Sequence, residues 1–395
     1  MKNRIFYLLG VAVFLSVNVS AQPFAIGHRT MSFIDPARNN RAVPSEVYYP
    51  AQTAGNNTAV ADSLFPVIVF GHGFLMPYSA YGYFKDAMVP DGYIVVFPTT
   101  EGGIYPNHTE YGADLAFLVT KMHAEGMDQA SPFYLHVDST SGVMGHSMGG
   151  GASFLACKNN TVPSVMVTFA AAETTPSAIA AAAGITIPNL VFSADQDCVT
   201  LPAQNQVPMY NSLASDCKVF INIKGGGHCY FADYNFTCSL GETGCQQNFT
   251  ITREQQHAAI LDFTKLYLDY YLKNNGASWT VFNDSLASSS RISYEKSCST
   301  NHLEKFVKNL QCRIFPNPAS DHLFIKFPGT SEKAVQLIIR SVTGGVVFME
   351  NLTGNSPDFP NSIDISTLSP GFYLLEITCP ENHFFRSFIK AGPSE

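Results

Sequence analysis

Between residues 45 and 272 the chain alternates continuous apolar runs with helical patterns, and this alternation limits the folds open to it. Val67-Ile68-Val69-Phe70, Tyr93 to Phe97, Val165 to Phe169, Leu190 to Phe192 and Val219 to Ile223 are runs rich in β-branched and aromatic residues. Such runs are what strands covered on both faces look like. Between them Tyr111, Leu115, Leu118 and Met122 recur at helical spacing, as do Ile260, Phe263, Tyr267 and Tyr270. Strand–helix alternation predicts an α/β fold with a mostly parallel sheet flanked by helices. With 46% apolar and 14% charged residues, the chain has the material for a large core.

One pentapeptide stands at a strand-to-helix junction of this pattern. Gly145-His146-Ser147-Met148-Gly149 follows the strand Ser141 to Met144 and opens a helix of small residues reaching about Cys157. G-x-S-x-G in that setting is the nucleophile elbow of α/β-hydrolases: the serine sits on a sharp turn where flanking side chains would clash. The helix N-terminus favours a developing negative charge. Gly71-His72-Gly73-Phe74 comes directly off the strand Val67 to Phe70, where this fold places an oxyanion-hole amide. The backbone N–H groups of Phe74 and Met148 are the expected oxyanion donors.

The fold orders its catalytic groups as serine, acid, histidine. After Leu190 to Phe192 come Asp195 and Asp197 in Ser193-Ala194-Asp195-Gln196-Asp197-Cys198. Both lie at the carboxyl end of a parallel strand, where ligands bind. Asp197, further along the loop, is favoured as the triad acid, with Asp195 capping the loop. After Val219 to Ile223 the sequence Gly225-Gly226-Gly227-His228 supplies a flexible approach and the expected base. His72 and His146 sit in backbone motifs, and His108, His123, His136 and His257 lack an acid and glycine context. From Ala170 to Asn189 there is room for one alanine-rich helix and its connections, so the serine is expected to be uncovered by a lid.

These stretches resemble known families. Gly145 to Gly151 is similar to the elbow of bacterial cutinases and polyester hydrolases, and Ala194 to Asp197 with Pro208 to Leu213 resembles their acid loop and following helix. That resemblance places the triad acid at Asp197. Phe65 to Phe74 and Gly92 to Val96 are similar also to chlorophyllase and dienelactone hydrolase relatives. The resemblance covers about residues 40–273 and implies a secreted serine carboxylic ester hydrolase, with polyesters such as PET among its candidate substrates and no cofactor or metal. The polyester hydrolases carry a tryptophan after the sixth strand; here that stretch reads Ala170-Ala171-Ala172-Glu173-Thr174-Thr175-Pro176. Phe74 matches the aromatic wall those enzymes place beside the oxyanion hole. Chlorophyllase-like or lipase-type esterases are the alternative reading, followed by a peptidase or an inactive surface binding protein on the same scaffold.

The ends of the chain point to export. Lys2 and Arg4, the apolar run Ile5 to Val17 and the small residues Val19-Ser20-Ala21 predict a signal peptide over residues 1–21. No later run of 18 apolar residues occurs, so a soluble mature chain is expected. Nine cysteines suit an oxidising compartment. Local bridges Cys198–Cys217 and Cys238–Cys245 are expected, with Cys157 a buried free thiol; without a CxxC pair, zinc is disfavoured. The catalytic domain is assigned to residues 22–298 and a linker to 299–312. Residues 313–395 then change to short alternating strands separated by Pro and Gly, the pattern of a small β-sandwich. Ile314-Phe315-Pro316-Asn317-Pro318-Ala319-Ser320-Asp321, Gly371 to Leu375 and Phe388-Ile389-Lys390 resemble the sorting domain of the type IX secretion system. This resemblance implies the secretion machinery as a partner and a secreted or surface-attached product. A formal charge of −8 speaks against nucleic acid as a partner. A monomer is expected.

Overall fold

A computed structural model describes residues 23–245, 248–298, 313–326, 335–341, 345–352, 362–379 and 382–392. The signal-peptide and linker assignments lie outside the described residues.

The chain opens with β1 (Ala25–Asp35), β2 (Arg41–Ala51) and the short β3 (Gly55–Asn56). Then β4 (Phe65–Gly71), α1 (Gly82–Met88), β5 (Ile94–Pro98), α2 (His108–Glu125), β6 (Val137–His146) and α3 (Met148–Cys157) begin the alternation. It continues through β7 (Val165–Phe169), α4 (Ala178–Ala182), β8 (Asn189–Ala194), α5 (Gln206–Ser212), β9 (Cys217–Ile223) and α6 (Phe236–Glu242). The helices α7 (Arg253–Lys273) and α8 (Gly276–Ser288) precede β10 (Ile292–Cys298).

The ten strands form one sheet in the order β10-β9-β8-β7-β6-β4-β5-β2-β1-β3. From β5 to β9 every pairing is parallel. The five apolar runs read from sequence all fall in this parallel block, and β4, β5, β7 and β8 are buried along their whole length. Antiparallel strands flank the block at both edges: β2 beside β5, β10 beside β9. Two apolar cores cover the two faces. One holds Leu115, Leu118 and Met122 of α2; the other holds Ile260, Phe263 and Tyr267 of α7. The helical patterns are therefore the stripes that seal the sheet.

Both expected disulfides are corrected. Cys198 pairs with Cys245, Cys217 with Cys298 and Cys229 with Cys238. Sheet polarity explains the difference. Cys217 begins β9 and stands in register opposite Cys298, the last residue of antiparallel β10. Cys198 follows β8, whose parallel course puts it at the other end of the sheet, roughly 20 Å away along a seven-residue strand. A disulfide spans a Cα separation of only about 4.4–6.8 Å. Cys157 is free and buried, as expected, and all six cysteines of the 198–298 stretch are bridged.

After residue 312 come β11 (Arg313–Phe315), β12 (His322–Lys326), β13 (Val335–Ser341), β14 (Val346–Leu352), β15 (Ser362–Asp364), β16 (Gly371–Cys379) and β17 (Asn382–Lys390). They form a three-stranded and a four-stranded sheet, with antiparallel pairing throughout. Leu323, Leu337, Ile339, Leu375 and Phe388 are among the residues of their own apolar core. This is the small β-sandwich that the alternating pattern predicts.

Candidate active site

The loops leaving the carboxyl ends of β4, β6, β8 and β9 converge on one cleft, the place where open α/β sheets bind ligands. Ser147 sits between β6 and α3 with φ +55° and ψ −118°, a strained backbone for a residue with a side chain. Neighbouring backbone enforces it. A Cβ on Gly145 would lie 2.3 Å from the Gly149 carbonyl oxygen, and one on Gly149 2.1 Å from the Gly71 oxygen. Both glycines of the motif are thus required by close approach. The Ser147 N–H donates to the Phe169 carbonyl at 3.0 Å, and its carbonyl accepts from Gly151 and Ala172, which pins the turn.

The three side chains picked out by order along the sequence meet here. His228 Nε2 lies 3.0 Å from Ser147 Oγ, and His228 Nδ1 lies 2.8 Å from Asp197 Oδ2. All three residues are buried. Asp197 Oδ1 accepts the backbone N–H groups of Val199 and Thr200 at 2.9 and 2.8 Å. Thr200 Oγ1 stands 2.8 Å from Asp197 Oδ2 and accepts from Gln206 Nε2 at 3.0 Å. Asp195 does not reach the histidine; it accepts the Gly225 N–H.

The loop carrying His228 is clamped by groups with no obvious signal in the sequence. The side-chain amide of Gln256 pairs with both the N–H and the carbonyl of Gly227, each at 3.0 Å. Glu242 Oε1 accepts the Cys229 N–H at 3.0 Å. Arg253 donates to the carbonyls of Cys229 and Ala232. The disulfide Cys229–Cys238 ties the residue after His228 to α6, and Cys198–Cys245 ties the residue after Asp197 to the chain just beyond it.

On the other side of Ser147, the Gly73 carbonyl accepts the Met76 N–H at 3.1 Å and lies 2.9 Å from His72 Nδ1. In a trans peptide the Phe74 N–H points the opposite way from that carbonyl, within the same plane. Met148 is the first residue of α3, where a helix leaves its N–H without an intrahelical partner.

The cleft, about 620 Å³, has Phe74 and Met148 on its lining together with Ile104, Tyr105 and Val199. Phe74 is 46% exposed, Ile104 63% and Tyr105 91%. Ile104 and Tyr105 belong to the loop between β5 and α2, which the sequence reading did not single out. The base of that loop is pinned: Glu101 accepts from Arg41 at 2.7 Å and from the Asn107 N–H at 2.5 Å, and Thr100 donates to buried Asp114 at 2.6 Å. The run of exposed apolar residues at the tip, beside a serine at a strand end, is the signal that would have found it. The Ala170–Pro176 stretch brings only Ala172 and Glu173 to the lining, and Glu173 is engaged with Asn205 and Ile179. Helix α4 is five residues long and lies after this stretch.

Comparison with protein-family models matches residues 14–246 to a family described as PET hydrolase-like, and residues 313–391 to the secretion system C-terminal sorting domain. The second match marks the chain for type IX export, to the surroundings or the cell surface. The first covers more than half of the chain, which therefore belongs to the PET hydrolase-like family of α/β-hydrolases.

Proposed function

We propose that this protein is an exported serine carboxylic ester hydrolase working through an acyl-enzyme on Ser147. The observation that carries this reading is the unbroken contact from Asp197 Oδ2 to His228 Nδ1 and from His228 Nε2 to Ser147 Oγ, at 2.8 and 3.0 Å, opening on an apolar cleft. In the first half-reaction, Ser147 Oγ attacks the ester carbonyl as His228 Nε2 takes its proton. The carbonyl oxygen becomes an oxyanion facing the Phe74 and Met148 N–H groups. Collapse expels the alkoxide, which leaves as an alcohol with the proton from His228. In the second, His228 takes a proton from water, the hydroxide attacks the acyl carbon, and Ser147 regains its proton as the acid leaves. Asp197 holds the imidazole in the Nδ1–H tautomer and stabilises its charged form. Every proton and charge is handled by side chains and backbone, so the chemistry calls for no cofactor.

The substrate class follows from the walls. Phe74 on one side and Ile104 with Tyr105 on the other leave room for an extended apolar or aromatic segment beside the ester, as in an aromatic polyester. The sorting domain serves export and takes no part in catalysis. A screen of the exported protein on short and long nitrophenyl esters, a PET film and a peptide amide, with Ser147→Ala in parallel, tests this. Serine-dependent release from the film alongside ester turnover is expected; turnover confined to the amide would make the protein a peptidase.

A further inference from the structure

Beneath the cleft lies a buried pair that the ester chemistry does not use. Tyr81 ends a short 3₁₀ turn, Tyr78–Tyr81, and is fully buried. Its Oη accepts the Gly73 N–H at 2.8 Å and lies 3.0 Å from His146 Nδ1. His146 Nε2 lies 3.2 Å from the His228 carbonyl oxygen. A chain of contacts therefore runs from the loop bearing the Phe74 N–H, through Tyr81 and His146, to the backbone of His228.

The hydrogens on this chain have one consistent arrangement. Tyr81 carries a single hydroxyl hydrogen, and burial keeps it protonated. Given to His146 Nδ1, it leaves the imidazole with its hydrogen on Nε2, where it donates to the His228 carbonyl. The opposite tautomer would set the Nε2 lone pair against a carbonyl oxygen. The charged form is disfavoured: burial first, then the neighbouring His228 and Arg253, hold His146 well below the usual histidine range. Met76 Sδ, at 3.5 Å, is the other acceptor within reach of Tyr81, and a weak one.

We propose that Tyr81 and His146 are positioning residues that hold the oxyanion loop and the base loop in register across Ser147. Neither needs to touch substrate. The proposal rests on the assignment of Ser147, His228 and the Phe74 N–H to ester hydrolysis. Its force comes from where the chain ends: both termini are backbone groups of the two loops that flank the serine. Both loops carry reacting groups, and a displacement of about 1 Å at such groups can cost on the order of 10²-fold in rate.

Tyr81→Phe, His146→Gln and His146→Leu, each in the full chain, test the proposal on a soluble short-chain nitrophenyl ester, with Ser147→Ala as the control for the underlying assignment. For Tyr81→Phe we expect kcat to fall about 10-fold or more, from the loss of loop register, with KM changed less than about twofold. His146→Gln keeps a donor for the His228 carbonyl and should retain more kcat than His146→Leu. The double variant Tyr81→Phe/His146→Leu should be no slower than His146→Leu alone, because one chain is broken once. Full kcat in folded Tyr81→Phe or in His146→Leu, additive losses, or a loss confined to KM would overturn the proposal. Should Tyr81→Phe fail to fold, the ranking of His146→Gln over His146→Leu decides, and equal rates overturn it. Activity surviving in Ser147→Ala would instead overturn the serine assignment itself.

Discussion

Asp195 Oδ1 accepts the Gly225 N–H at 2.7 Å, while Asp197, two residues on, points its carboxylate at His228. Two acids of one loop thus divide the work: one ties the acid loop to the base loop through backbone, the other faces the imidazole. Asp197→Asn should lower kcat by about 10⁴-fold, the size of a tautomer error in a serine triad. Asp195→Asn can keep an oxygen for the Gly225 N–H and should lose far less. Steady-state rates on one ester rank the two; the reverse order would move the acid to Asp195.

Tyr105 and Ile104 stand over the cleft on a loop pinned at its base by Glu101, Arg41 and Asp114. Removing them should weaken binding of large apolar substrates and leave the reacting groups in place. For Tyr105→Ala we expect KM on a bulky aromatic ester to rise about 10-fold, the cost of roughly 1.4 kcal/mol of lost contact, with kcat and acetate-ester turnover unchanged. A fall in acetate kcat would show that the loop shapes the catalytic centre. With no cover read between β7 and β8, rate against concentration of a short ester should also rise smoothly through the solubility limit.

Acid should destabilise the hydrolase domain through its buried histidines. Burial pushes His123 down to about 4 and also lowers His72 and His146. In the unfolded chain these groups take up protons near pH 6.5. Between about pH 6.5 and 4 the unfolded state therefore binds more protons, so stability falls as pH falls through that window. Thermal unfolding of the full chain from pH 7.5 to 4.5 should show Tm dropping, and His123→Leu should flatten the drop. An unchanged slope in that variant would remove His123 from the explanation.

The parts legible in the sequence are those where local backbone geometry forces residue type. Gly145 and Gly149 are demanded by atoms little more than 2 Å from where a Cβ would stand. That Asp197 and His228 would meet was readable because strand ends in a parallel sheet announce which loops face the cleft. Cys217 and Cys298 were not, because their pairing depends on β10 returning antiparallel beside β9, which no run around Cys217 foretells. Gln256 likewise acts on a residue brought near only by tertiary packing: it clamps Gly227 from a helix twenty-nine positions away. Tyr81 and His146, sixty-five positions apart, escape a sequence pattern for the same reason.

The central claim is that Ser147 carries the acyl group, and covalent trapping measures it most directly. The exported protein would be treated with a fluorophosphonate and with a slowly deacylating ester, and the modified peptide located by mass spectrometry. We predict one adduct per chain, on Ser147, formed in step with the loss of ester hydrolysis and absent from Ser147→Ala and slowed in His228→Ala. An adduct on another residue with the same loss of activity, or undiminished turnover in Ser147→Ala, would contradict the account.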